Sequence, residues 1–147
     1  EEAWKAMGNK NSIHLEDFLN CKKTYQNEKI NKKWLIIKNI RKVSTAAIEK
    51  IREEKIIRSS LEAHLDIFVN EQTFNDVKDI LLSEITITSS FKLYKIDDES
   101  QGFEIEDIPD IKVKASKVNG YKCQRCWKYE DQLINNEICQ RCNDAIN

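Results

Sequence analysis

The chain of 147 residues contains one proline and three glycines, so it offers little that could serve as a flexible linker. No apolar run approaches the roughly 20 residues needed for a membrane-spanning helix, so no membrane span is expected. There is no glycine-rich phosphate loop and no H-E-x-x-H pair, and the two histidines have no nucleophile at an interpretable spacing. His14 lacks a metal-spaced partner and reads as a surface residue. His64 falls on the polar side of an alternating segment, where a structural or solvated role is expected. The acidic run from Asp97 to Asp110 fits no calcium loop and reads as solvated. Catalytic residues are therefore not expected. The chain opens at Glu1, without a methionine and within what reads as a helix, so a fragment of something longer is expected. Its length suits one ordinary domain or two small ones.

What the chain does have is cysteine in a telling arrangement. Cys123, Cys126, Cys139 and Cys142 form two C-x2-C pairs separated by twelve residues. A two-residue gap lets both thiolates of a pair turn onto one ion, and two pairs complete a tetrahedral four-sulfur shell, the preferred site of structural Zn²⁺. All four positions would be protein atoms, leaving none for a reacting water, so the zinc would hold shape. Disulfides are the weaker alternative: the chain shows no secretory signal, and the fifth cysteine, Cys21, would be left over. Four cysteines can also hold an iron–sulfur centre, but the two-knuckle spacing favours zinc.

Charge is uneven beneath a net of −1. Residues 22–58 carry 12 Lys/Arg against 4 Glu, residues 59–111 carry 3 Lys against 13 Asp/Glu, and residues 112–147 carry 7 Lys/Arg against 4 Asp/Glu. A basic segment and a basic tail flanking an acidic middle point to a polyanion held at particular places. The plainer alternative is that these charges solvate helix faces.

The pattern predicts an α+β fold. Glu1 to Met7 reads as the end of a helix stopped at Gly8-Asn9, followed by a connection whose Ile13, Leu15, Phe18 and Leu19 are expected to pin it to a neighbouring surface. From about Glu28 to Glu54, Ile30, Trp34, Ile37, Ser44, Ala47, Ile48 and Ile51 recur at helical spacing, with a second row of Ile36, Ile40 and Val43. So wide a stripe predicts a long helix of the kind found in bundles. Leu61, Ala63, Leu65, Ile67 and Val69 alternate as in a half-buried strand. A short helix beginning near Thr73 or Asn75 is expected next, with Phe74, Val77 and Leu81 as its apolar row. The β-rich stretches Glu84–Thr88, Phe91–Tyr94, Phe103–Ile105 and Ile111–Ala115 then predict a small mixed sheet. A four-cysteine zinc-knuckle module closes the chain.

Within the knuckles sit Arg125 and Arg141, and Trp127-Lys128-Tyr129 follows the first. Guanidinium planes and aromatic faces are what unstacked RNA bases stack upon. The alternative for Trp127 is a roof over the metal or an anchor to the sheet. For the two arginines it is hydrogen bonding around the metal. Arg41 interrupts the apolar stripe of the long helix, either as a rim residue with its stem packed or as a nucleic-acid contact.

CQRCW followed by CQRC resembles the zinc-binding tail of bacterial-type isoleucyl-tRNA synthetases. EEAW, SIHL, the long helix running into IRKVSTAAIEKIREEKIIRSSLEAHLDIF, the segment LLSEITIT and the lead-in VKASKVNGYKCQRCW are similar too, so the resemblance covers nearly the whole chain. It implies three parts: residues 1–58 as the end of an anticodon-binding helical domain, 59–118 as a small α+β junction, and 119–147 as the zinc-binding module. It implies a cytoplasmic, monomeric parent, a class I enzyme joining isoleucine to its tRNA with ATP, whose ATP site and editing domain lie outside this chain. The expected metal ligands are Cys123, Cys126, Cys139 and Cys142. The expected tRNA contacts are Arg125, Trp127 and Arg141, then Lys122, Lys128, Arg41 and Arg52. Similar fingers also end the formamidopyrimidine-type DNA glycosylases, although the long basic helix and the sheet do not look like those enzymes. A zinc-stabilised protein-interaction module is a third reading, which salt separates from the other two because phosphate binding weakens steeply with salt.

Overall fold

Asn27 starts the long helix by accepting the backbone N–H of Ile30 on its side-chain oxygen, which satisfies one of the free donors of the first turn. In the computed structural model, which describes residues 1–146, a short helix α1 (Glu2–Ala6) precedes this long one, α2 (Glu28–Glu53). The 26 residues of α2 span about 39 Å, and Lys50 and Arg52 in its last turn oppose the negative end of its dipole. The chain continues through β1 (Ala63–Val69), α3 (Glu71–Val77), α4 (Leu82–Thr86), β2 (Ser90–Lys95), β3 (Phe103–Ile105) and β4 (Ile108–Lys117).

Those four strands form one mixed sheet in the order β2-β1-β4-β3. β1 runs parallel to β2 and antiparallel to β4, with Leu65 opposite Ala115 and Ile67 opposite Val113. Parallel neighbours need a crossover, and α3 and α4 supply it. The alternation predicted for β1 holds: Ala63, Leu65, Ile67 and Val69 are fully buried, while His64, Asp66 and Phe68 are half-buried on the other face. His64 is structural there, its Nδ1 lying 2.7 Å from Ser90 Oγ. Ile37, Ile40, Val43, Ala47 and Ile48 of α2 join the buried face of the sheet in a single hydrophobic cluster. The division at residue 58 thus runs through a shared core.

Several expectations are corrected. Among the described residues α2 packs on the sheet and on two short helices. Its buried face draws on both predicted rows, Ile37, Ser44, Ala47 and Ile48 from one and Ile40 and Val43 from the other, but its N-terminal end is open: Trp34 is 48% exposed. The connection is not pinned down, since Phe18 and Leu19 are almost wholly exposed and no described residue covers them. α3 begins earlier than predicted, because Asn70 caps it through Thr73 N–H.

Residues 84–88 are not a strand. Leu82, Ser83 and Thr86 are buried at helical spacing, Thr86 Oγ1 donates to Leu82 O at 2.9 Å, and Ile87 closes the turn in the left-handed region at φ 56°. The N–H of Thr88 then reaches back to Ser83 O, a helix closure that ordinarily places glycine at the left-handed position. Finally, β4 begins at Ile108 and not at Ile111. Pro109 is tolerated because pairing with β1 starts only at Ile111, so its missing N–H breaks no bond to β1.

The core assignment makes a prediction. Ile40→Ala, at a fully buried position, should lower unfolding stability by about 2–5 kcal/mol in urea titration. Ile30→Ala, at the open end of the same helix, should change it by no more than about 0.5 kcal/mol. An equal loss at both positions would contradict this placement of the core.

Candidate metal centre and its basic face

Gly120 admits the chain to the C-terminal module. Its φ is +122°, and a Cβ there would meet Glu130 O at 2.6 Å, so both the conformation and the space require glycine. Beyond it β5 (Tyr121–Lys122) pairs with β6 (Tyr129–Glu130), making a small hairpin that carries the first cysteine pair at its tip. Cys123 N–H donates to Lys128 O and Trp127 N–H donates to Cys123 O, both at 2.9 Å. The second pair follows a turn in which Asn135 and Asn136 both take positive φ, side chains that tolerate this region better than most. That turn is closed by a bridge between Ile134 and Ile138. Gln124 N–H donates to Glu137 O, tying the two halves together, and Cys139 leads into α5 (Gln140–Asp144).

The four cysteines converge as their spacing predicts. Their sulfurs all lie within 4.8 Å of one another, and Cys126 Sγ is 3.7 Å from Cys139 Sγ. Metal–sulfur bonds of about 2.3 Å in a tetrahedron put sulfurs about 3.8 Å apart, so the cluster has the dimensions of a single four-thiolate ion site. A disulfide needs sulfurs at about 2.05 Å, and all five cysteines are free thiols. Cys123, Cys139 and Cys142 are buried and Cys126 half-buried.

The local field is unequal. Burial opposes the Cys123 thiolate, but the backbone N–H groups of Cys126, Cys139 and Arg125 outweigh it and draw the thiol down to about 6. Burial pushes Cys126 up to about 12 and also raises Cys139. Four neighbouring sulfurs cannot all ionise without a cation to compensate them.

Around this cluster the predicted contact residues have different fates. Trp127 is largely open to solvent. The residue is 60% exposed, its φ is +66°, and Lys122 Nζ sits 5.4 Å from the ring centroid. A tryptophan in the left-handed region carries backbone strain, which the turn around Cys123 imposes. Trp127 and Lys122 also line a cleft of about 230 Å³ with Ser59, Leu61, Glu62 and Tyr129. Arg125 is exposed, and its guanidinium has no partner among the described residues.

Arg141 and Lys128 both turn to Glu84. Lys128 Nζ donates to Glu84 Oε1 at 2.5 Å and Arg141 Nη1 to the same oxygen at 3.3 Å. Lys128 is only 15% exposed, whereas Arg141 remains 65% exposed. Arg41 is exposed and shares a cleft of about 340 Å³ with Trp34, Lys38 and Glu84, which brings it to the same neighbourhood. Arg52 is elsewhere: it pairs with Glu49 at 2.7 Å, about 16 Å along the helix from Arg41. Sequence reasoning missed Glu84 and Ser89, whose Oγ accepts Tyr129 N–H at 2.7 Å and donates to Leu61 O at 2.5 Å.

No protein-family model matches this sequence. Curated relatives do. The isoleucine–tRNA ligase of Pelagibacter ubique is 38% identical over 133 residues, which is 90% of this chain and 13% of the relative. That of Bartonella henselae is 35% identical over 135 residues, 90% of this chain and 14% of the relative. That of Mesoplasma florum is 34% identical over 150 residues, 99% of this chain and 16% of the relative. The chain matches the C-terminal region of the bacterial isoleucine–tRNA ligases. It spans about one-seventh of the length of these ligases, and the match agrees with the resemblance read from its motifs.

If the sulfur cluster organises this module, Cys139→Ser should abolish stoichiometric metal binding in a preparation supplied with Zn²⁺, as measured by elemental analysis. Amide exchange should accelerate across residues 119–146 and stay slow in α2 and β1. Unchanged metal content would remove Cys139 from the ligand set.

Proposed function

We propose that this chain is the tRNA-binding C-terminal part of an isoleucine–tRNA ligase, and that it grips the anticodon arm through a module held by one structural Zn²⁺. The observation that carries the reading is the match to isoleucine–tRNA ligases over 90–99% of the chain, and the four-cysteine cluster of this chain supports the metal-held module. The parent enzyme would be a cytoplasmic, monomeric class I synthetase joining isoleucine to its tRNA with ATP, a step of protein synthesis. Those reactions belong to regions outside this chain. Its own contribution is positioning: holding one end of the tRNA fixes where the other end can reach, which lowers the entropy cost of the distant reaction. A reducing cytoplasm suits a site built from free thiolates.

The outer face of the module supports an RNA contact. Trp127 offers an open ring for a base, Lys122 sits over that ring, and Arg125 is free for a phosphate or a second base. Arg141 keeps enough exposure to reach a phosphate while bound to Glu84. Arg41 extends the same basic face onto α2. Lys128, enclosed in its ion pair, serves the module's position instead, and Arg52 lies away from the face.

Binding to isoleucine tRNA, an unrelated tRNA and duplex DNA at two salt concentrations, with and without Zn²⁺, tests the reading. A zinc-dependent, salt-sensitive preference for isoleucine tRNA is expected, and a preference for duplex DNA would overturn it. Arg125→Ala should lower the dependence of log K on log salt by about 1. Trp127→Gly suits the left-handed backbone better than tryptophan, so zinc content should be retained. Loss of a stacked base should nonetheless weaken RNA binding by about 1–3 kcal/mol. Lost zinc with unchanged binding would make the ring structural.

A further inference from the structure

The C-terminal module has little core of its own. Apart from the cysteines, its cluster holds only Leu133 and Ile138. Its orientation on the rest of the fold therefore depends on a few polar contacts. One is the chain from Tyr129 N–H through Ser89 Oγ to Leu61 O. The other is Glu84, which projects from α4, the helix that ends in the left-handed closure at Ile87.

Glu84 meets the module in an unusual way. Lys128 comes from the hairpin that presents Cys123 and Cys126, and its carbonyl accepts the Cys123 N–H. Arg141 stands between Cys139 and Cys142, on the helix that presents the second pair. These two cations come from opposite halves of the sulfur cluster and converge on the same oxygen, Glu84 Oε1. They can do so together only when the halves are drawn to each other, which is what a shared ion does. The Lys128 hydrogen bond also holds the Glu84 carboxyl below the usual carboxylate range.

We propose that Glu84 is a positioning residue for the metal site: it docks the module on α4 only in the closed, metal-loaded arrangement, so that docking and metal retention are linked. Binding free energies are reciprocal. If the metal favours the docked arrangement, the docking contact must favour the metal. Residues outside the ligand set that fix its members commonly change metal affinity by 10–100-fold. An isolated exposed ion pair would contribute little, but one carboxylate shared by two cations, one of them largely enclosed, is a small network. The inference rests on the reading of the four cysteines as a zinc site, and the experiment separates the two.

The zinc content of the unmodified chain is measured first. A chain that takes up no zinc under reducing conditions overturns the zinc reading, and this inference with it. Given a loaded chain, transfer of zinc to a chromophoric chelator is timed for Glu84→Gln, Lys128→Met and the double variant. Glu84→Gln should release zinc about tenfold faster, Lys128→Met should also release it faster but by a smaller factor because Arg141 keeps its bond to Glu84, and the double variant should be no faster than Glu84→Gln. Glu71→Gln is the control. It breaks the Lys95 pair, also 2.5 Å long, with the same change of charge but away from the module, and should leave release unchanged. Release at the unmodified rate from both loaded Glu84→Gln and Lys128→Met would overturn the proposal while leaving the zinc site intact. So would equal acceleration by Glu71→Gln, which would reduce the effect to a general loss of stability. Should Glu84→Gln fail to fold, Lys128→Met tests the same contact from the other side.

Discussion

The C-terminal fifth of this protein depends on one constraint: four sulfur atoms brought within 4.8 Å of one another. Nothing else in residues 119–146 could fix the chain. The two-stranded hairpin is four residues in all, the terminal helix is five, and the cluster around the sulfurs includes few other apolar side chains. Elements so short do not persist in water on propensity alone. The backbone serves the cluster, with Gly120, Trp127, Asn135 and Asn136 all in positive-φ conformations that bend the chain around it. Strain at Trp127 has a benefit. The turn that wraps Cys123 leaves the largest ring of the module facing outward.

The rest of the fold is held by the opposite principle. α2 lies on a four-stranded sheet, and the buried residues of both form one apolar cluster without a metal or a disulfide. Ser44 of α2 is fully buried, and its hydroxyl finds no partner among the described residues. A dry, close-packed core therefore supports a module held by ligand bonds, and the seam between them is polar: Glu84 with Lys128 and Arg141, Ser89 with Tyr129. Such a seam can carry orientation without adding much to stability, because its partners could be solvated equally well by water.

Legibility followed the range of the interactions. The cysteine site could be read because coordination is local: each pair needs only a two-residue gap, and only one further spacing joins them. α2 and β1 could be read because burial on one side imposes periods of 3.6 and 2 on the chain. Residues 84–88 could not. The alternation of Ile85 and Ile87 with threonines imitates a strand, and what makes the segment helical is the burial of Leu82, Ser83 and Thr86, a tertiary fact that overrides local preference. Glu84 was illegible for the same reason, since its partners lie 44 and 57 residues away. The exposed Phe18 and Leu19 show the converse limit, because hydrophobicity predicts burial without naming the surface that provides it.

The uneven charge along the chain is explained by where its pairs close. A basic stretch, an acidic middle and a basic tail point, in the sequence, to an external polyanion. Part of that pattern is internal: the acidic middle meets the basic tail at Glu84 with Lys128 and Arg141, while Glu104 with Lys112 and Glu71 with Lys95 close further pairs around the sheet. What remains is the subset of basic residues outside these pairs. Arg125 and Lys122 belong to it, and Arg41 stands in the cleft beside Glu84. Because Glu84 borders both the helix cleft and the metal module, a single carboxylate stands beside Arg41 from one basic region of the sequence and Lys128 and Arg141 from the other.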